Sequence, residues 1–131
     1  TNVRAIAGEG IGASLGNARE DLSYFNIPGM GGSGFIAMEV EGNSMEPLLN
    51  AKDIVVCEPI ENLGSIKQND VCLVKHDGEV WLKYIQPIHN KVGRVTRLKL
   101  ISENHFDHDP FFRDVNATTR LYRVVRRIHS L

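Results

Sequence analysis

Apolar residues in this chain fall into short stretches, several of which alternate with polar residues as in half-buried β-strands. The stretches that we predict as strands are Phe35–Glu41, Asp53–Glu58, Val71–Lys75, Val80–Ile85, Val95–Ser102 and Leu121–Ile128. A short helical turn can follow Ser44. No segment shows the pattern of a long amphipathic helix. The pattern therefore predicts a mainly β domain in which short strands form a small sheet or barrel.

Short sequence signals predict where one strand lies in the sheet and where turns and loops connect the strands. Ile54 to Cys57 is apolar on both faces, which indicates a central strand. The turn that we predict over 76–79 reads His-Asp-Gly-Glu, and Asp-Gly favours an antiparallel hairpin. Residues 103–116 are mostly polar and are predicted to form a loop, as is His89 after Pro87.

Residues 1–34 have a different composition from the rest of the chain. Val3 to Ala7 is an apolar patch that could form one short strand, and two glycine-rich stretches follow before Phe35. Composition alone favours a flexible N-terminal arm over 1–34 and one folded domain over 35–131. Because the chain begins with Thr1 rather than Met, we expect it to be a fragment with a further domain upstream.

Composition narrows the class of protein. The 131 residues are 42% hydrophobic and carry a net charge of −1, which is typical of one globular domain. This net charge argues neither for nor against binding of nucleic acid. No apolar run is long enough to cross a bilayer, and no signal peptide is recognisable. Cys57 and Cys72 lie in apolar stretches, which favours reduced core cysteines over a disulfide and predicts a cytoplasmic protein. No phosphate-binding glycine loop or dinucleotide fingerprint is present, so no cofactor is expected.

Two positions suggest chemistry. Glycine permits backbone conformations that other residues resist, so the segment Gly42–Pro47 can present Ser44 as an exposed hydroxyl. Strand alternation places Lys83 between Trp81 and Ile85 on an apolar face. Such a lysine either extends its amine to water or is buried with a lowered pKa. In the second case it could remove a proton from a serine, as in a Ser–Lys dyad.

Other polar clusters are weaker candidates. His105 and His108, with Asp107 and Asp109, could suggest a metal site, but a solvated loop is the better interpretation and no metal is expected. A basic run near the C-terminal end could contact phosphate, although a solvated strand face or a subunit contact is favoured. The basic residues concerned are Arg120, Arg123, Arg126 and Arg127.

Five segments of the chain form a recognisable set: Gly42–Pro47, Lys52–Val56, Asp70-Val71, Asp77–Lys83 and Leu100–Asn104. Together they resemble the LexA and phage-repressor family of self-cleaving serine peptidases. The resemblance covers residues 35–131. It implies a small LexA/signal-peptidase-like domain of short, mostly antiparallel strands with a flexible N-terminal arm.

The resemblance also implies roles for particular residues. Ser44 corresponds to the nucleophile and Lys83 to the general base of a Ser–Lys dyad. The family cuts an Ala-Gly or Cys-Gly bond in its own arm, and Ala7-Gly8 matches that site. The implied partners are a second copy of the chain, the chain's own arm as substrate and a recombinase filament as co-inducer after DNA damage. DNA would be bound only by a helix-turn-helix domain upstream, and no membrane is involved.

Some positions depart from the family's pattern, and two rival functions stay open. Asn43 stands where aspartate is commonest, Leu48 where threonine is frequent and Tyr84 where a basic residue often follows the lysine. None of these changes removes a reacting group. One rival is a non-cleaving oligomerisation module of a helix-turn-helix regulator. The other is a polymerase-accessory mutagenesis protein of the same family, with a short arm and no DNA-binding domain.

Overall fold

The computed structural model describes residues 3–5 and 34–129, which form strands joined by turns. The strands are β1 (Val3–Ala5), β2 (Ile36–Val40), β3 (Ile54–Ile60), β4 (Asp70–His76), β5 (Glu79–His89), β6 (Val95–Ile101), β7 (Phe111–Asp114) and β8 (Arg120–Ile128). The helical content of these residues is a single 3-10 turn at Leu63–Ser65. The prediction of a mainly β fold with short strands is confirmed.

Within the described residues the strands form one antiparallel sheet in the order β1-β2-β3-β8-β4-β5-β6-β7. β3 lies between β2 and β8, so the prediction that its apolar sequence marks an interior strand is confirmed. Val3 of β1 packs in the same cluster as Val80 and Leu82 of β5, although β1 is the outermost strand at its end of the sheet. The sheet therefore curls over this cluster.

Each face of the sheet buries its own hydrophobic cluster, and β5 contributes alternate residues to the two. Val80 and Leu82 belong to the first cluster, with Met38, Met45 and other residues of β1 to β4. Trp81 and Ile85 belong to the second, with Leu98, Leu100 and Leu121. The alternation predicted for β5 is thus confirmed, and it places Lys83 on the face of the second cluster.

The hairpin between β4 and β5 turns at Asp77 and Gly78, whose φ angles are 48° and 82°. Positive φ at both central residues is the requirement of a type I′ hairpin, which Asp-Gly meets easily. The hairpin turn predicted over 76–79 is confirmed, since His76 is the last residue of β4 and pairs with Glu79, the first residue of β5. The buried ring nitrogen Nδ1 of His76 lies 2.9 Å from the hydroxyl of Thr119, which holds the side chain in the fold.

Two predicted loops were wrong. Phe111–Asp114, inside the loop predicted over 103–116, is strand β7 and pairs with β6. β5 continues through Pro87 to His89 and remains paired with β6 there, so His89 lies in a strand. In both places pairing with β6 determines the conformation, and the local polar or proline signal does not.

Cys57 and Cys72 are free and buried, as predicted. Burial raises the pKa of both thiols, that of Cys72 to about 12, so neither is a thiolate near neutral pH. In the basic run Arg120, Arg126 and Arg127 are exposed, as a solvated strand face requires, whereas Arg123 is partly exposed and pairs with Asp70 at 3.3 Å and Glu58 at 3.6 Å. No helix among the described residues is long and apolar enough to span a membrane.

Candidate active site

Ser44 follows β2 on a turn that is anchored in the first hydrophobic cluster. Met45 and Leu49 are 1% and 3% exposed, and the Leu49 amide donates to the Met45 carbonyl at 2.8 Å, which closes a hydrogen-bonded turn where a short helical turn is predicted. Ser44 is itself only 5% exposed. The expectation of an exposed hydroxyl was therefore wrong, because the anchored turn draws the serine inward to the wall of a pocket.

Gly42 gives the chain the direction change that precedes Ser44. Its φ is +71°, in the left-handed region that glycine adopts without a steric penalty. A Cβ built at this position would meet no atom within 4 Å, so space is not the constraint.

We therefore expect Gly42→Ala to lower the free energy of unfolding by about 1 kcal/mol through backbone strain alone. Urea unfolding of the two proteins measures this loss. Gly93, which also has a positive φ and open space around it, offers a matched control in Gly93→Ala. If Gly42→Ala is as stable as the parent while Gly93→Ala is not, the left-handed turn before Ser44 is not needed for folding.

Lys83 is buried on β5, where its Cα pairs in register with that of Cys72 on β4. The residue is 5% exposed, and Nζ donates a hydrogen bond to the Ser102 hydroxyl at 2.8 Å. Burial lowers the pKa of Lys83 to about 8, because the charged ammonium is less well solvated than in water. Of the two alternatives for this lysine, the structure supports burial.

Ser44 and Lys83 line the same pocket, which has a volume of about 290 Å³. The other lining residues are Glu41, Gly42, Asn43, Trp81, His108 and Phe111. A larger cleft of about 600 Å³ lies elsewhere, between the 3-10 turn and the β5–β6 turn, and contains Arg94 as its charged residue. That cleft offers no proton acceptor beside a hydroxyl, so the smaller pocket is the better candidate for catalysis.

The segment between β6 and β7 is hydrogen-bonded to the turn that carries Ser44. The amide of Asn104 donates to the Ser44 carbonyl at 2.9 Å, and its side-chain amide donates to the Asn43 carbonyl at 3.2 Å. His108 Nε2 lies 2.8 Å from the Asn43 side-chain oxygen. The sequence predicts a solvated loop for this segment, and no local signal predicts its contacts with residues 43 and 44.

Ser102 is the other residue of this site that sequence reasoning missed. A signal was present, since Leu98, Leu100 and Ser102 are buried in the two-residue period of β6. A hydroxyl at a core-facing position of this kind needs a hydrogen-bond partner, and Lys83 supplies it.

The histidines of the 103–108 segment are engaged separately. His105 Nδ1 lies 3.1 Å from the Glu103 carbonyl, whereas His108 contacts Asn43. Among residues 3–5 and 34–129, no group of three or more histidine, cysteine or acidic side chains is placed to hold a metal ion. The cleavage pair predicted at Ala7 and Gly8 lies outside the described residues.

Comparison with known proteins supplies the family. A model described as Peptidase S24-like matches residues 4–119, a range that includes the serine turn, the lysine strand and the segment 102–108. No curated protein matches the chain. Because the matched range covers most of the 131 residues, the chain belongs to the Peptidase S24-like family, the family of LexA and phage-repressor peptidases.

Proposed function

We propose that this chain is the self-cleaving regulatory domain of a LexA-like or phage-type repressor, with Ser44 as nucleophile and Lys83 as general base. One observation carries the proposal: a serine and a buried lysine line one pocket, and burial lowers the pKa of that lysine to about 8. A base with such a pKa is partly neutral at physiological pH, which is what proton removal from a serine requires.

In the proposed reaction neutral Lys83 takes the proton of the Ser44 hydroxyl while Oγ attacks the carbonyl carbon of Ala7. The tetrahedral intermediate collapses when the Lys83 ammonium gives its proton to the Gly8 nitrogen, which leaves as a free amine. Water then hydrolyses the Ala7 ester, with Lys83 again accepting and returning one proton. Because the substrate belongs to the same chain, no bimolecular encounter is needed.

The proposed role of cutting is to separate two binding units. The domain would form a homodimer in the cytoplasm and would be joined through its arm to a helix-turn-helix domain upstream of Thr1. A dimer that engages two half-sites binds its operator far more tightly than either half alone. Cleavage at Ala7-Gly8, stimulated by a recombinase filament, would therefore release the operator without altering any base contact.

The proposal predicts that the rate of self-cleavage rises with pH. With a pKa of about 8, Lys83 is about one tenth neutral at pH 7 and about nine tenths neutral at pH 9, so the rate should rise about tenfold between them. Mass spectrometry of the incubated chain follows the fragment that begins at Gly8.

Two variants complete this test. Ser44→Ala and Lys83→Ala should both stay intact under the same conditions. A chain that remains whole at every pH would contradict the proposal and support a non-cleaving oligomerisation module. A fragment that still forms in Ser44→Ala would show that another group, or a contaminating protease, cuts the arm.

A further inference from the structure

Ser102 occupies an unusual place for a hydroxyl. It directly follows β6 and is 2% exposed, in the same buried phase as Leu98 and Leu100. Its oxygen accepts the hydrogen bond that Lys83 Nζ donates at 2.8 Å. The lysine amine therefore has a fixed protein partner at the end of a strand, where the sheet itself limits movement.

A hydrogen-bond partner of the Lys83 amine matters because it determines the direction of the amine's lone pair. A neutral lysine has two N–H groups and a single lone pair, and it can act as a base only when the lone pair points at the proton to be removed. The Cε–Nζ bond rotates freely in the absence of a partner. An acceptor that engages one N–H selects the rotamers in which the lone pair points away from that acceptor.

The chain after Ser102 also fixes the serine. Asn104, two residues later, donates its backbone amide to the Ser44 carbonyl at 2.9 Å. One short segment thus contacts the amine of Lys83 at its first residue and the backbone of Ser44 at its third. A displacement of this segment would change the position of both groups together.

We propose that Ser102 is a positioning residue, which accepts one N–H of Lys83 and so directs the amine lone pair toward the Ser44 hydroxyl. The inference rests on the proposed function, in which Lys83 is the base. Ser102 itself neither attacks nor exchanges a proton in the reaction.

The groups around Lys83 determine the direction in which its pKa should change when the Ser102 hydroxyl is removed. Glu41 and His108 are the other titratable residues of the pocket, and Cys72 on β4 is neutral because burial raises its pKa to about 12. A hydroxyl oxygen accepts a stronger hydrogen bond from an ammonium than from an amine. Removing the Ser102 hydroxyl should therefore lower the pKa of Lys83 further, while the amine loses its orientation.

The experiment is the pH profile of self-cleavage for Ser102→Ala in the full 131-residue chain. The maximal rate should fall about tenfold to a hundredfold, and the midpoint should move about 1 pH unit lower. Ser102→Thr, which keeps the hydroxyl, should recover most of the rate. Thr119→Val removes another buried hydroxyl, the one beside His76, and should leave the midpoint unchanged.

A second measurement does not depend on cleavage. Chains carrying [13Cε]lysine are titrated by NMR in the uncleavable Ser44→Ala background, with and without Ser102→Ala, and Lys83→Arg identifies the Lys83 signal. We expect the Lys83 midpoint to fall by about 1 pH unit when the hydroxyl is removed. If the parent chain does not cut at all, the proposed function fails, and this titration still decides whether Ser102 acts on Lys83.

Two results would overturn the inference. One is a Ser102→Ala profile whose maximum and midpoint both equal those of the parent chain. The other is a Lys83 carbon signal that titrates at the same or a higher pH without the hydroxyl. A lower rate with an unchanged midpoint in both measurements would also count against it, because that is the behaviour expected of a structural defect alone.

Discussion

Replacing Lys83 with methionine is expected to stop self-cleavage completely and, at the same time, to make the domain more stable at pH 7. Methionine has a similar length and fills the same buried space, but it has no amine to accept the Ser44 proton. General-base catalysis supplies about a hundredfold to ten-thousandfold of rate, so any residual cutting should be below detection. Burying the charge costs about 3 kcal/mol at pH 7, and the Ser102 hydroxyl, which loses its partner in Lys83→Met, offsets about 1–2 kcal/mol of that, so the net gain in free energy of unfolding should be about 1–2 kcal/mol.

The sign of the stability change follows from the lowered pKa. The pKa of Lys83 is about 8 in the folded chain, below the value of 10.5 for an unperturbed lysine. Between these values the unfolded chain binds more protons, so the free energy of unfolding of the parent rises with pH in this interval. Below pH 8 the lysine is charged in both states, and the folded state carries the full cost of burying that charge.

The measurement is urea unfolding of the parent and of Lys83→Met at pH 7 and at pH 10.5. Lys83→Met should be the more stable protein at pH 7, and its stability relative to the parent should fall by about 3 kcal/mol between the two pH values. Lys91→Met, at an exposed turn between β5 and β6, serves as the control and should show no such change with pH. A Lys83→Met variant that is less stable than the parent at pH 7 would mean that the ammonium is well solvated in the folded protein.

Much of the site could be predicted because strand alternation is a strong constraint. Once β5 is recognised, the two-residue period alone assigns Leu82 to one cluster and Trp81 to the other, and Lys83 must face the second. Lys83 and Ser44 were singled out by pattern, and the structure places both at one pocket. The self-cleavage site at Ala7-Gly8 stays a prediction, because these residues lie outside the described part of the chain.

The segment from Ser102 to β7 could not be predicted for a physical reason. Most of its residues are polar, the edge strand that follows has only four residues, and their conformation depends on distant partners. Asn104 contacts Asn43 and Ser44, which lie about sixty residues earlier, so no local signal reports these bonds. His76 is similar, because it is buried and contacts Thr119, which lies far along the chain, so no local signal reports that contact.

These contacts join the two halves of the candidate site. Ser44 lies on a turn anchored by the first cluster, whereas Lys83 lies on the face of the second. The segment 102–108 reaches both, through Ser102 and Asn104. The geometry of the pocket therefore depends on packing on both faces of the sheet. A packing defect in the second cluster should change the position of Lys83 more than that of Ser44.

Trp81→Ala is the variant that tests this dependence most strongly. Trp81 is 7% exposed, packs edge-on against Phe111 with ring centroids 5.2 Å apart, and has the Arg113 guanidinium 5.0 Å from its ring. It is part of the second cluster and also lines the pocket. Truncation to alanine should lower the free energy of unfolding by about 3–5 kcal/mol, since it removes a large buried ring and leaves a cavity.

Trp81→Phe retains an aromatic ring against Phe111 and should lose only about 1–2 kcal/mol. Because Trp81 is the only tryptophan, unfolding of these variants has to be followed by far-ultraviolet circular dichroism and not by fluorescence. Phe112, which follows Phe111 on β7 and is 41% exposed, supplies the control. Phe112→Ala should lower the free energy of unfolding far less than Trp81→Ala does. If the two alanine variants lose equal stability, burial of the tryptophan is not what holds β5 and Lys83 in place. A second outcome is a Trp81→Ala variant that is much less stable but keeps the parent's pH midpoint of cleavage. In that case Ser102 and β5 itself determine the pKa of Lys83, and the tryptophan ring contributes packing alone.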